Sequence, residues 1–83
     1  MKLLYFAWVR ERTGVHEESW ELPQGVATVG ELITALSARG PGFAHAFADV
    51  KQVRAAVNQE TARLDDPVSD ADEVAFFPPM TGG

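Results

Sequence analysis

The stretch Thr28–Leu36, TVGELITAL, decides the fold. Thr28 and Glu31 form a capping box, in which each side chain satisfies the other's backbone N–H at a helix start. Val29, Leu32, Ile33 and Leu36 then recur at the i, i+3, i+4 and i+7 spacing of a helix laid on a sheet. Gly30 is unfavourable there, costing about 1 kcal/mol against alanine. Gly40-Pro41-Gly42 stops the helix, and Phe43 with Phe47 indicates a short second helical piece.

On both sides of this helix the residues turn to β type. Lys2–Arg10 has few breakers and reads as one central strand with both faces covered. Gly14 marks a turn, and Glu17–Leu22 alternates with Trp20 and Leu22 on one side, so a hairpin precedes the helix. Beyond the helix, Val53–Val57 reads as a third strand closed by a turn at Asn58-Gln59. Ala62–Leu64 reads as a short fourth strand and Glu73–Phe77 as the last, ended by Pro78-Pro79. The order β-β-α-β-β-β predicts an α+β fold on the β-grasp plan. That plan is a mixed sheet with one main helix on one face, and with the first and last strands side by side at its centre. One domain is expected over 1–79, with a flexible, protruding tail over 80–83.

Composition narrows the function. The 83 residues are 46% hydrophobic and 23% charged, which is ordinary for a globular chain. With no cysteine, disulfides, thiolate metal sites and a cysteine nucleophile are excluded together. Twelve acids against seven scattered bases leave a net charge of −5, with no basic face for nucleic acid. An acidic carrier instead suits basic partner surfaces. No secretory pattern and no apolar run near the ~20 residues of a membrane span is present, so a cytoplasmic location is expected, without membrane or nucleic-acid partners. His16 and His45 are isolated, no serine sits in a nucleophile elbow, and Asp65, Asp66, Asp70 and Asp72 lack calcium-loop spacing. These aspartates read as turn residues, Trp8 and Trp20 as packing residues, and no metal site is expected.

The chemistry concentrates in the tail, Met80-Thr81-Gly82-Gly83. Pro78 and Pro79 cannot continue the sheet and aim the chain away from it. The residues beyond them could reach ~13 Å into another protein. Without Cβ atoms, Gly82 and Gly83 can thread a narrow channel. A terminal carboxylate, ionised above a pKa near ~3.5, is a poor electrophile until a nucleotide activates it. A sulfur donor could convert such an acyl-adenylate to a thiocarboxylate; modifiers of the ubiquitin type use the same end to form amides. The tail alone leaves both fates open.

Asp72–Gly83, DEVAFFPPMTGG, resembles the C-terminal signature of the small, sulfur-carrying subunit of molybdopterin synthase, a ubiquitin-like family. RAAVNQ at Arg54–Gln59 and VRE at Val9–Glu11 are similar to that family's other recurring segments, and Met80 departs from the small aliphatic residue expected. The resemblance implies adenylation and then a thiocarboxylate at Gly83, with Thr81 and Gly82 inserted into a large synthase subunit. It implies sulfur transfer there to cyclic pyranopterin monophosphate, with the catalytic side chains on the large subunit and none on this chain. The implied partners are that subunit and an adenylyltransferase of the ubiquitin-activating type. ATP would be used by the latter, and no cofactor held stably by the chain itself. A sulfur carrier for thiamine thiazole synthesis and a ubiquitin-like conjugation or interaction module are the alternatives; Phe76-Phe77-Pro78-Pro79 argues against the first.

Alternation locates the docking surface. One helix covers one face of a β-grasp sheet, so Lys2, Leu4, Phe6, Trp8 and Arg10 are expected on the open face, with Phe77 beside them. Phe6, Trp8 and Phe77, rimmed by Arg10 and continued by Pro78 and Pro79, form the expected partner-binding patch.

Overall fold

In the computed structural model, which describes residues 1–79, two strands meet in parallel at the centre of a five-stranded sheet. β1 (Lys2–Tyr5) lies beside β5 (Glu73–Phe77), with Leu3 opposite Val74 and Tyr5 opposite Phe76. β2 (Glu17–Ser19) flanks β1; β3 (Arg54–Val57) and β4 (Glu60–Ala62) follow β5 on the other side, giving the order β2-β1-β5-β3-β4. All neighbours except the central pair are antiparallel.

Alternation puts Leu3, Tyr5, Val74, Phe76 and Ala55 on the inner face, where all are buried. The helix α2 (Val29–Ser37) packs there. Nine residues are too few for a stable isolated helix. Its four stripe residues, Val29, Leu32, Ile33 and Leu36, are buried, each contributing roughly 1.5–3 kcal/mol. The capping box is formed: Thr28 Oγ1 accepts the Glu31 N–H at 3.2 Å, and Glu31 Oε1 accepts the Thr28 N–H at 3.2 Å. Gly30 has a packing reason. Its N–H donates to the Leu64 carbonyl at 2.8 Å, and a Cβ there would lie 3.2 Å from the same oxygen. The expected second helical piece is α3 (Pro41–Ala46); Phe47, just past it, packs edge-on against Phe76 with ring centroids 5.0 Å apart.

The N-terminal segment departs from the expected single strand over Lys2–Arg10. The strand ends at Tyr5, and Ala7–Thr13 is a helix, α1. Ala7 takes φ of 53°, which turns the chain off the sheet. The side chains of Phe6, Trp8 and Val9 suit either structure, and Phe6 makes no side-chain cap, so no local signal marks the helix start. Tertiary burial decides it: Val9 is 0% exposed in the core. Gly14, expected in a hairpin turn, caps α1 in the left-handed region with φ of 77°, its N–H donating to the Arg10 carbonyl at 2.8 Å. Several helical pieces therefore accompany the main helix. The second and fourth strands are also displaced: β2 stops at Ser19, although Trp20 and Leu22 still pack against the core, and β4 begins at Glu60. The Asn58-Gln59 turn has positive φ at both residues, as a tight two-residue hairpin requires.

Asp66 and Asp72 accept turn N–H groups, and Asp70 ties distant segments together. Asp66 accepts the Arg63 N–H, Asp70 the Leu22 N–H, and Asp72 the Ser69 N–H together with the Asn58 side-chain amide. The Asn58 amide and the Ser69 N–H hold the Asp72 carboxyl below its usual range.

One ion pair joins the sheet edge to the end of α2. Arg39 grips both oxygens of Glu18, at 2.6 and 3.0 Å, while Tyr5 Oη donates to Glu18 at 2.8 Å. The Arg39 hydrogen bonds, followed by that from Tyr5, hold the Glu18 carboxyl below its usual range. Because the folded value is depressed, the pair stabilises fully above the ordinary glutamate value near ~4.3, and the contribution is lost as pH falls through the lowered one. Arg39→Met should therefore cost about 1 kcal/mol at neutral pH, a deficit that shrinks on acidification. Melting curves of parent and variant across the acid range check this; a deficit independent of pH would assign the loss to packing against Trp20 and Phe43, whose rings the guanidinium overlies.

Candidate functional site

The end of β5 is where the sheet, the open face and the departing chain meet. Opposite the helices, alternation and register set Leu4, Ala75 and Ala56 in one row across three strands. All three are half-buried. The next row belongs to the strand ends: Phe77 lies directly opposite Arg54 of β3. On its other side, the Phe6 N–H donates to the Phe76 carbonyl at 3.0 Å, continuing the parallel ladder one step past β1. Phe6 is extended, with φ of −126° and ψ of 152°, so alternation leaves it on the side of Leu4. The row reads Phe6, Phe77, Arg54.

Exposure and charge distinguish this end of the open face. Phe6 is 46% exposed, the most exposed aromatic ring among the described residues, while Phe77, Pro78 and Pro79 are half-buried. At the opposite end a charged strip closes the face: Lys2 bridges Glu17 at 3.4 Å and Glu73 at 4.0 Å. An apolar surface thus runs from a charged border to an aromatic pair flanked by one guanidinium. Arg54 is held in place by its Nη1, which donates to the Lys51 carbonyl at 2.9 Å.

Of the residues expected to dock partners, the structure brings together Phe6, Phe77, Pro78 and Pro79. It sets Trp8 apart, because α1 replaces the outer half of the expected strand, while Arg10 lies one helical turn from Phe6, its N–H donating to the Phe6 carbonyl at 3.3 Å. Trp8 packs against the core, with the Arg12 guanidinium 4.3 Å above its ring centroid. Arg10 uses its carbonyl to cap α1. The cation beside the aromatic pair is Arg54. The sequence did not single out Arg54; the β3–β5 register shows that it lies opposite Phe77. Thr81, Gly82 and Gly83, with Met80, lie outside the described residues.

Among the described residues, no group of three or more histidine, aspartate or glutamate side chains could hold a metal ion. No helix among them is long and apolar enough to cross a membrane. His16 and His45 are exposed. The open face offers apolar area, a cation beside the aromatic pair and a strand that leads into two prolines; these suit docking and presentation of a chain end.

A mixed sheet with parallel central strands, a helix across one face and the last strand leading outward defines a ubiquitin-like β-grasp protein. The crystal structure of small archaeal modifier protein 1 from Haloferax volcanii has the same fold, with a TM-score of 0.76 and 29% identity over 96% of this chain and 97% of that one. The chain belongs to the ThiS family, which it matches over residues 3–83. It is 43% identical to the molybdopterin synthase sulfur carrier subunit of Escherichia coli, across 100% of this chain and 99% of that protein. To the human protein of the same name it is 37% identical, across 100% of this chain and 93% of that protein.

Proposed function

We propose that this protein is the sulfur carrier of molybdopterin synthesis. In this reading the Gly83 carboxylate attacks the α-phosphorus of ATP on an activating enzyme, releasing pyrophosphate and forming an acyl-adenylate. A sulfur donor displaces AMP to leave a thiocarboxylate. The tail then enters a large synthase subunit, where the sulfur passes to cyclic pyranopterin monophosphate. The chain itself contributes no catalytic side chain and holds no cofactor; ATP belongs to the activating partner, and all of this takes place in the cytoplasm. The observation that carries the reading is the full-length similarity to molybdopterin synthase sulfur carrier subunits, beside a family match that continues through the prolines and Thr81-Gly82-Gly83. The Phe6–Phe77 surface supports it, since an apolar face beside the chain exit can seat a partner while the tail reaches the active site.

A second reading is favoured by other relatives. Small archaeal modifier protein 3 of Haloferax volcanii is 32% identical, across 100% of this chain and 98% of that protein. Its name fits the amide-forming fate of the same chain end, with the sulfur steps omitted.

Gly82→Leu tests the carrier reading. The added side chain would obstruct a narrow channel while leaving the domain untouched. An unchanged melting temperature is expected, with sulfur transfer to the precursor reduced about a hundredfold in a reconstituted synthase. A variant that melts well below the parent would make Gly82 structural; one that transfers sulfur normally would remove the channel from the account.

A further inference from the structure

We propose that the hollow between α2 and the β3–β4 hairpin is a docking groove for an acidic, apolar-anchored segment of a partner protein. Val29 and Ile33 from the helix, with Val53 and Ala55 from the sheet side, make its floor, each no more than 5% exposed. Val50 and Leu64 stand on its rim at 39% and 49% exposure. The one other large hydrophobic residue so open among those described is Phe6, on the opposite face of the sheet. The hollow holds about 220 Å³.

Charge selects the occupant. Lys51 and Arg63 bring their cations to the groove and no carboxylate lines it, in a chain with twelve acids and seven bases. Two cations at one groove of an acidic protein attract negative groups and repel nothing it would need to seat. Lys51 enters no ion pair among the described residues. Arg63 lies 3.8 Å from Asp65, but both side chains are over 80% exposed, so water screens that contact. A lone phosphate would leave the apolar floor bare. A membrane surface cannot enter a concave site, and nucleic acid would meet a net charge of −5 on the rest of the approach. A peptide segment that alternates carboxylates with aliphatic side chains satisfies both rim and floor. The inference rests on this groove alone and is independent of the tail chemistry.

The test is a titration of the full ¹⁵N-labelled chain with a blocked peptide alternating glutamate and leucine, beside its lysine–leucine counterpart. Saturable shifts are expected at Ile33, Lys51, Arg63 and Leu64 with the acidic peptide alone. Binding should weaken about tenfold in the double variant Lys51→Glu, Arg63→Glu, and should also fall with added salt. Should that variant fold poorly, Leu64→Ser, on the exposed rim, should weaken binding with the charges intact. No saturable shift, equal binding of the basic peptide, or shifts confined to Phe6 and Phe77 would overturn the proposal. Preferential binding of a single-stranded oligonucleotide or of phosphatidylglycerol vesicles at the groove would also overturn it.

Discussion

Deletion of Gly83 should abolish adenylation and sulfur transfer while leaving the melting temperature of the domain unchanged. The chemistry requires a carboxylate at a fixed reach from the docked body, and removing one residue withdraws it by ~3.3 Å. A misplacement of about 1 Å can already cost a hundredfold in rate, because the reacting atoms must be held in near-attack geometry. Among the described residues the last member of the core is Phe76, and Phe77, Pro78 and Pro79 beyond it are half-buried. Incubation with the activating enzyme and labelled ATP provides the measurement. Adenylation of the shortened chain at the parent's rate would refute the role given to the carboxylate.

Phe77→Ala should weaken binding to both the activating enzyme and the large subunit by about 2–4 kcal/mol, as truncation of a central aromatic anchor does. Phe77 is centred between Phe6 and Arg54, at the point where the chain leaves the sheet. Its neighbour Phe76 provides the internal comparison. Phe76 is 0% exposed, stacked on Tyr5 with centroids 6.0 Å apart, and packed edge-on against Phe47. Phe76→Ala should cost about 3–5 kcal/mol of folding stability. Phe77→Ala, made on a half-buried ring of the open face, should cost far less. Calorimetric titration against each partner, with melting curves of both variants, separates the two roles. Unchanged binding with a large loss of stability would place Phe77 in the core.

Where the sequence was legible, local chemistry and burial agree. The capping box of Thr28 and Glu31 and the stripe from Val29 to Leu36 mark α2, and the observed helix follows them. Glu73–Phe77, bounded by turn aspartates and two prolines, is the last strand as read. The central pairing of β1 with β5 follows from the β-grasp plan. Legibility failed where local and tertiary preferences diverge. Phe6, Trp8 and Val9 have side chains that favour strands, yet Ala7 turns and Val9 is drawn into the core from a helix. That helix moved Trp8 away from the aromatic pair. The cation opposite Phe77, Arg54, depends on cross-strand register, which no single segment encodes. The reading of the tail rests on residue identity alone, two glycines after two prolines, and Met80, Thr81, Gly82 and Gly83 lie outside the described residues.

The most direct test of the account is the intact mass of the protein after incubation with its activating enzyme, ATP and a sulfur donor. Exchange of one oxygen for sulfur at the terminal carboxyl adds about sixteen mass units. The account predicts that increment, localised by fragmentation to Gly83 and absent when ATP is withheld. An unchanged mass under conditions in which the acyl-adenylate forms, or an amide link to lysine in its place, would contradict it.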